Sequence, residues 1–213
     1  MKIMLVYCIE STDYLKDEDT FAKGYAQVPS YRQAKIDKLK RPEDKRLSLG
    51  AELLLERMLR ENGFADLAEN RRGYYTKSGK PYIMHPDQTP GDDVVPPVHV
   101  SISHSKNYTM VVLSDTVVGC DIEFSNANNL NCLPLAKRFF HAEETREVEA
   151  DKSVFYSLWT LKEAYTKCTQ IPLPTTLRMN MKDAFENRDG TNPAVNRLQG
   201  EKDSFAWSIV YYE

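Results

Sequence analysis

The chain has 213 residues, 41% of them apolar, which is enough for one large domain or two small ones with a substantial core. Its 31 acidic and 28 basic residues give a formal net charge of −3, which argues against a general nucleic-acid binder. The four cysteines are scattered without a CxxC pair, so reduced thiols are favoured over a zinc site or a disulfide framework. No window approaches the ~20 apolar residues of a membrane span. We therefore expect a cytoplasmic globular protein that binds neither membranes nor nucleic acid.

The first third of the chain predicts one strand and two helices. Residues 1–9 read as a first strand, because their apolar run is short for a signal peptide. Residues 31–41 form a mixed-charge segment with helical character, which is most simply a solvated face. Residues 42–63 predict a long core helix, with a proline and acidic residues at its start and a glycine as its stop. Arg46 lies near the start of this helix, where the helix dipole disfavours a cation, and this fits a bound anion or a nearby carboxylate.

The middle of the chain changes from loop-like to strand-like composition. Residues 70–97 predict loops around one short extended piece, with Lys80 presented in a turn just before a proline. Residues 98–103 alternate as a strand. Residues 108–113 and 117–124 predict a hairpin that turns at Ser114-Asp115.

The last third predicts helices followed by a closing strand. Helices are expected over residues 133–149 and 152–169, the second ending at the prolines that follow it. Residues 181–200 are polar and predict a loop, and residues 205–212 predict a strand.

Two carboxylates in a predicted strand suggest cation binding. Asp121 and Glu123 are two residues apart, so both side chains leave the same face of the strand. At ~5 Å and an effective dielectric of about 20 their repulsion would be about 3 kcal/mol, which a divalent cation would relieve if the pair is partly enclosed. Oxygen ligands without His or Cys favour Mg²⁺ or Mn²⁺, and bound Mg²⁺ commonly also contacts substrate phosphates. The alternative is an ordinary solvent-facing strand edge.

Two further groups admit both a structural and a functional interpretation. Glu163 and Lys167 are four apart in a predicted helix, which by spacing alone indicates a surface ion pair. His104 directly follows a strand, where a structural histidine and a functional one are equally plausible. The chain has no G-x-S-x-G elbow, no G-x-G-x-x-G and no Walker loop, so a hydrolase elbow, dinucleotide binding and P-loop binding lack support.

Taken together, three motifs resemble one known family. Ile102-Ser103-His104-Ser105, then Gly119-Cys120-Asp121-Ile122-Glu123, then the run from Trp159 to Lys167 occur in the order and spacing of the Sfp-type 4'-phosphopantetheinyl transferases. The last run resembles that family's W-x-x-K-E-x-x-x-K signature. The likeness is strongest over residues 98–168, extends more weakly to Arg46 and the turn at Lys80, and thins out after residue 170.

The resemblance implies a fold and an activity. The fold is α+β, a pseudo-twofold pair of similar halves with the active site in the cleft between them, here divided as residues 1–100 and 101–213. The activity is transfer of the phosphopantetheine arm of coenzyme A to a serine of an apo acyl or peptidyl carrier protein, with Mg²⁺ and release of adenosine 3',5'-bisphosphate. The family likeness also implies a monomer, because shorter relatives must associate to build the cleft.

The resemblance also assigns roles to individual residues. It places Asp121, Glu123 and Glu163 on the metal, and Glu163, Lys167 and His104 in catalysis, with Glu163 as the base for the carrier serine. Coenzyme A contacts are implied for the following residues: Arg46, Lys80, Ser103, His104, Lys162, Lys167 and, if one gap is allowed, Arg32 and Lys35.

The sequence departs from the family pattern at two places, and two other functions compete with the one that the resemblance implies. Cys120 stands where an aliphatic residue is common, and we expect it to serve packing only. Residues 87–97 resemble an insertion that could alter access to the cleft. The competing hypotheses are a metal-dependent phosphohydrolase that uses the same carboxylates and a non-catalytic module that binds coenzyme A or a carrier protein.

Overall fold

The computed structural model of the chain describes residues 4–70, 74–77, 80–83, 96–126, 131–186, 190 and 194–212. The chain forms two compact units, Met1–Asp115 and Thr116–Glu213, called unit 1 and unit 2 below. The boundary lies after Asp115, whereas the sequence analysis divided the chain after residue 100. Within the described ranges, no helix is both long enough and apolar enough to cross a membrane.

Unit 1 contains a three-stranded antiparallel sheet, a long helix and a separate two-stranded hairpin. Its strands and helices are as follows: β1 (Leu5–Ser11), α1 (Glu18–Gln27), α2 (Ser30–Asp37), α3 (Pro42–Glu61), α4 (Ala65–Asn70), β2 (Tyr74–Lys77), β3 (Lys80–Ile83), β4 (His99–Ser105) and β5 (Tyr108–Ser114). The sheet order is β1-β5-β4, and β2 pairs with β3. The expectation of a single short extended piece before residue 97 was therefore wrong, because two strands form there.

The long helix α3 confirms the sequence prediction closely. Pro42 opens it, Glu43 and Asp44 occupy its first turn, and the chain leaves it through Gly63 at a φ of 88°. Its apolar side packs on the sheet of unit 1, in a cluster whose buried helix members are Leu54, Leu55, Met58 and Leu59. Burial of such a stripe is the main source of the helix's stability.

The predicted hairpin between residues 108–113 and 117–124 is wrong. The strand β5 turns back on β4 through the two residues Lys106 and Asn107, and Lys106 adopts a left-handed φ of 55°. On its other edge β5 pairs with β1. Alternation of apolar residues shows that a segment is a strand but does not specify its partner, so a neighbour in sequence was mistaken for a neighbour in the sheet.

Unit 2 contains a second three-stranded antiparallel sheet and a set of helices. Its elements are as follows: β6 (Val118–Phe124), α5 (Cys132–Phe139), α6 (Ala142–Ala150), α7 (Val154–Thr169), α8 (Leu173–Arg178), α9 (Met181–Glu186), β7 (Val195–Lys202) and β8 (Phe205–Tyr212). The sheet order is β6-β8-β7. The strand predicted over residues 205–212 is confirmed.

Three details of the predicted helices and loops change in unit 2. The helix expected over 133–149 is two helices, because His141 is extended and its ring accepts a hydrogen bond from the Glu143 N–H at 3.4 Å as the cap of α6. The helix expected over 152–169 is confirmed, although it ends at Gln170 in a left-handed conformation rather than at a proline. The loop expected over 181–200 was wrong, because α9 and most of β7 lie there. The mostly exposed β7 carries few apolar residues, so its sequence does not read as a strand.

The two units share one topology. Each begins with a strand that forms one edge of the sheet, continues through helices, and ends with a hairpin whose second strand is central. The α+β fold class and the presence of two similar halves are thereby confirmed.

Candidate functional site

The strand β6 lies unusually close to the helix α7 because of one glycine. A Cβ atom at Gly119 would stand 2.2 Å from the Ala164 carbonyl oxygen and 2.5 Å from the Cys168 nitrogen, and both are backbone atoms that cannot rotate away. Only glycine permits this approach. Since side chains alternate along a strand, Asp121 and Glu123 leave β6 on the same face as Gly119 and point toward α7.

The helix α7 presents Lys167 to the first of these carboxylates. The Lys167 Nζ donates to Asp121 Oδ1 at 2.7 Å and to the Cys120 carbonyl oxygen at 3.1 Å. The same ammonium lies 4.0 Å from Glu163 Oε2, one helical turn earlier. Lys167 therefore bridges the strand and the helix. The Cys120 side chain is fully buried, as its predicted packing role requires.

Glu163 lies in an environment that resists its ionisation. Burial, and after it the nearby carboxylate of Asp121, raise the pKa of Glu163 to about 7, and Glu123 contributes in the same direction. Lys167 and a hydrogen bond from the Trp159 side chain oppose this rise in pKa only in part. At neutral pH the group is therefore poised between its acid and base forms.

Lys167 keeps its charge despite burial. Burial by itself lowers the pKa of this lysine, but the attractions of Asp121, Cys120 and Glu163 and the hydrogen bond to Asp121 together outweigh that effect, so the pKa is raised above its ordinary value. Among the described residues of this cluster, three carboxylates lie near the permanent cation of Lys167. Net negative charge therefore remains among them whenever all three carboxylates are ionised.

The donor chemistry of this cluster fits a hard divalent cation. Mg²⁺ prefers carboxylate oxygens, and its binding would relieve the repulsion that raises the pKa of Glu163. As arranged here, no three His, Cys, Asp or Glu side chains within the described ranges stand close enough to hold a metal ion. The residues available to hold one are Asp121, Glu123 and Glu163.

Lys162, which the family likeness assigned to coenzyme A, is instead an interior residue. Its side chain is fully buried and its Nζ lies 2.6 Å from Glu144 Oε2 on α6. It also donates to the Met179 carbonyl oxygen at 2.6 Å and lies over the Phe140 ring. Burial lowers the pKa of this lysine, and the neighbouring Glu144 opposes that effect. The observed contacts give Lys162 a structural role in holding α7 against its neighbours.

Among the predicted residues of unit 1, His104 and Arg46 lie around the first turns of α3. His104 is exposed near the end of β4 and lies close enough to Asp44 to act on it electrostatically. Arg46 is about one-fifth exposed, contacts Glu43 Oε1 at 3.4 Å, and lines a pocket of about 340 Å³ together with Lys16. This pocket carries charges of both signs.

Ser103 lies next to His104 along β4 but is largely buried. Neighbouring strand residues point to opposite faces, so the two side chains leave opposite sides of the sheet. The two side chains are thus separated in the structure, although the residues are adjacent in the sequence motif.

Arg32 and Lys35 have different surroundings. Arg32 lies 3.0 Å from the fully buried Glu52 through its Nε and donates to the Ser48 side-chain oxygen at 3.1 Å, so it fastens α2 to α3. Lys35 is exposed. Lys80 begins β3, but its side chain lies outside the described residues, as does nearly all of the 87–97 segment.

Four residues that organise this region were not predicted from the sequence. Gly119 could have been suspected, because a glycine inside a strand often marks a close backbone approach. Thr160, Ser208 and Glu144 gave no signal, since single buried polar residues look like any others in a one-dimensional pattern. Their contacts become evident only once the elements are packed.

The fold and the cluster together define an α+β protein of two similar units, with an acidic, lysine-bridged site on the second. Residues 117–212 match the sequence family described as the 4'-phosphopantetheinyl transferase superfamily. This part of the chain is similar to that family.

Individual relatives support the assignment. A protein of Synechocystis sp., named provisionally as a 4'-phosphopantetheinyl transferase, is 30% identical over 153 residues, covering 68% of this chain and 58% of that protein. A Bacillus subtilis 4'-phosphopantetheinyl transferase is 26% identical over 144 residues, covering 62% of this chain and 58% of its own. The transferase Sfp of Bacillus subtilis strain 168 is 32% identical over 94 residues, covering 42% of this chain and 37% of that protein. The matches to these three relatives thus span less than two thirds of their length.

Proposed function

We propose that this protein transfers the 4'-phosphopantetheine arm of coenzyme A to a serine of an apo carrier protein, with Mg²⁺, and releases adenosine 3',5'-bisphosphate. The match of residues 117–212 to the transferase family supports the reaction class. The observation that carries the proposal is the cluster in which Lys167 donates to Asp121 Oδ1 at 2.7 Å and lies 4.0 Å from Glu163 Oε2, with burial and neighbouring carboxylates raising the pKa of Glu163. A site that accepts a proton and binds a divalent cation needs carboxylates close enough to repel one another and so to raise a pKa.

Asp121, Glu123 and Glu163 would hold the Mg²⁺. When bound, the ion would supply positive charge to the pyrophosphate of coenzyme A and stabilise the charge that develops on the leaving group. The remaining work falls to side chains of the chain itself. They bind the two substrates, orient them in line, and move one proton.

Glu163 is the proposed general base. As a carboxylate beside Asp121 and Glu123, it would accept the proton of the carrier serine hydroxyl, directly or through a water, as the serine oxygen attacks phosphorus. The bond between that phosphorus and the bridging oxygen breaks, and the bridging oxygen leaves with adenosine 3',5'-bisphosphate. Lys167, which keeps its charge, would contact the pyrophosphate and stabilise the departing group.

The nucleotide end of coenzyme A is assigned to residues of unit 1. His104 and Arg46 are the best supported, because both lie around the first turns of α3 and Arg46 lines a pocket. Ser103, Lys80 and Lys35 remain part of the proposal. Arg32 is already engaged with Glu52, so it would contribute by holding α2 in place. Lys162 is not included because it is fully buried.

Carrier proteins are usually acidic, so we expect basic surface residues to guide docking. Raising the ionic strength should therefore weaken the apparent carrier affinity. An affinity that does not change with salt would contradict this part of the proposal. A cytoplasmic monomer that binds neither nucleic acid nor a membrane completes the proposed description.

The decisive experiment is transfer to a panel of apo carrier proteins. Wild-type protein, coenzyme A and Mg²⁺ should add one phosphopantetheine to at least one carrier, measured by intact mass, and a carrier whose acceptor serine is changed to alanine should gain nothing. Substitution E163Q should lower the rate on the order of a thousandfold, since it removes the base and a metal ligand while keeping the shape. The matched control E149Q changes a surface glutamate that pairs with Lys137 and should leave the rate unchanged.

The same experiment separates the competing functions. Phosphate released from nucleotides without any carrier would indicate a phosphohydrolase. Binding of coenzyme A or a carrier with no mass gain on any carrier would indicate a non-catalytic module. Either result would overturn the proposal.

A further inference from the structure

A row of three polar residues crosses the sheet of unit 2 on the face that meets α7. Asp121 on β6 pairs with Ser208 on β8, and Ser208 pairs with Gln199 on β7. Paired residues in antiparallel strands point to the same side, so all three face the helix. Ser208 is fully buried, and buried hydroxyl groups need a hydrogen-bond partner.

The partner is Thr160, which is also fully buried. The two hydroxyl oxygens are 2.8 Å apart. Gln199 Nε2 lies 3.2 Å from Ser208 Oγ, and Thr160 Oγ1 lies 3.3 Å from the Ser157 carbonyl oxygen. An amide nitrogen only donates and a carbonyl oxygen only accepts, while each hydroxyl has one proton. The direction is therefore fixed: Gln199 donates to Ser208, Ser208 to Thr160, and Thr160 to the Ser157 carbonyl.

A second hydrogen bond from Gln199 reaches the same carbonyl oxygen at which this chain ends. Gln199 Nε2 also donates to the Ser157 carbonyl oxygen at 3.1 Å. Hydrogen bonds aligned in one direction polarise and strengthen one another in a buried setting. The strands β7 and β8 are thereby tied to the first half of α7 by a directional contact, which apolar packing alone does not provide.

The contact lies on the same side of α7 as the proposed catalytic groups. Thr160, Glu163 and Lys167 stand at positions i, i+3 and i+7, which share one helix face. Gly119 lets β6 touch the helix at Ala164 and beyond. Along α7, Glu163 therefore lies between a hydroxyl–hydroxyl hydrogen bond to the sheet and a backbone contact with β6.

We infer that Thr160 and Ser208 are positioning residues for Glu163, because their hydrogen bond fixes the place of α7 on the sheet. The inference rests on the proposed transferase function for its catalytic consequence. Neither residue touches a reacting atom. Their effect is exerted through the position of the Glu163 carboxylate relative to Asp121.

The test uses full-length variants that remove one hydroxyl at a time. T160V keeps the side-chain shape and S208A removes a single atom. Each should lower kcat roughly tenfold, because small displacements of a catalytic group are costly. The KM for the carrier should stay within about twofold of wild type, since substrate contacts are intact. The double variant should lose little more than either single variant, and T160S should restore the rate.

The control is a threonine of the same helix that does not contact the sheet through its hydroxyl. Thr169 Oγ1 donates to the Tyr165 carbonyl oxygen at 2.8 Å, within α7 itself. T169V therefore loses a hydrogen bond of similar kind and should keep the wild-type kcat. A kcat for T160V and S208A within about twofold of wild type would overturn the inference, as would fully additive losses.

Amide hydrogen exchange supplies a readout that does not depend on activity. In T160V and S208A, the amides of residues 160–167 should exchange faster than in wild type, whereas T169V should change only the last turn. Unchanged exchange over 160–167 would overturn the inference. If wild-type protein fails to modify any carrier, the proposed function falls, and the exchange result alone then decides whether the hydroxyl pair holds the helix.

Discussion

The inner faces of the two sheets differ although the two units share one topology. In unit 1 a row across the sheet consists of Val6, Leu113 and Val100, and all three pack in the apolar cluster beneath α3. Burial of such a row contributes roughly 1.5–3 kcal/mol per large side chain and makes no geometric demand beyond fit.

In unit 2 a row across the sheet consists of Asp121, Ser208 and Gln199. Here the helix meets the sheet through a lysine bridge and a hydroxyl pair. Such contacts stabilise less per area buried but specify orientation. The row in unit 1 thus contributes apolar burial, whereas the row in unit 2 holds charged and polar groups in a defined arrangement beside the apolar clusters of that unit.

Each unit also contains a buried ion pair that fastens a short helix to the long one. In unit 1 the long helix contributes the acid, Glu52, and in unit 2 it contributes the base, Lys162. Removing the partner of a buried charge is among the most destabilising of single changes.

The largest expected effect on stability is therefore that of K162M. It leaves Glu144, about 3% exposed, buried without its cation, and should lower the free energy of unfolding by about 3–5 kcal/mol. Both tryptophans, Trp159 and Trp207, lie in unit 2, so denaturant unfolding followed by tryptophan fluorescence reports on this unit. The double variant K162M/E144L should recover most of the loss, because an apolar pair can replace a buried ion pair. A double variant as unstable as K162M would show that packing, and not the orphaned charge, causes the loss.

The next effect tests the close contact between β6 and α7. G119A introduces a methyl group 2.2 Å from a backbone oxygen, so strand and helix must separate, at a cost of about 1–3 kcal/mol or more. The transfer rate should fall along with stability, because Asp121 and Glu163 move apart. The comparison is G200A in the same sheet, where the new methyl group would meet the Trp207 ring at 2.5 Å. A side chain can tilt aside more easily than a backbone, so G200A should cost less. Equal losses would contradict the role given to Gly119.

The smallest effect is a dependence of stability on pH. The folded-state pKa of Glu163, about 7, lies above its ordinary value of 4.5, so between these values the native state binds a proton that the unfolded chain releases. The free energy of unfolding contributed by this group should therefore rise as the pH falls from 8 to 5, by up to about 2 kcal/mol after allowance for its partial exposure.

Comparison of wild type with E163Q isolates that contribution. E163Q should be the more stable protein at pH 8, and the gap should narrow as the pH falls through 7. At pH 8, added Mg²⁺ should raise the melting temperature of wild type but not of E163Q. A gap that does not vary with pH would show that Glu163 is not the strained carboxylate.

Sequence patterns predicted the elements with strong periodicity but not their partners. The helices α3 and α7 were found because their apolar residues recur at helical spacing, and α3 also because a proline and a glycine mark its ends. The partner of β5 was missed because alternation is the same for every strand that could pair with it. The edge strand β7 was missed because its exposed polar residues resemble a loop.

The site was predictable only in part for a related reason. Asp121 and Glu123 follow from strand alternation, and Glu163 and Lys167 from the helical repeat. Lys162 lies beside Glu163 in the motif, but adjacent residues on a helix point about 100° apart, and the structure places this lysine in the interior. A linear motif records which residues occur together and not which of them reach the same place.

The contact at Gly119 sets the closest approach of strand and helix through two backbones in touch, while the Thr160–Ser208 hydroxyl pair fixes where the helix lies on the sheet. The width of the acidic site at this point is consequently a property of the main chain. Exchange of the side chains at positions 121, 123, 163 and 167 would leave that backbone contact in place. In unit 2 the side chains of the site could therefore be changed by protein engineering while the backbone spacing between strand and helix is kept.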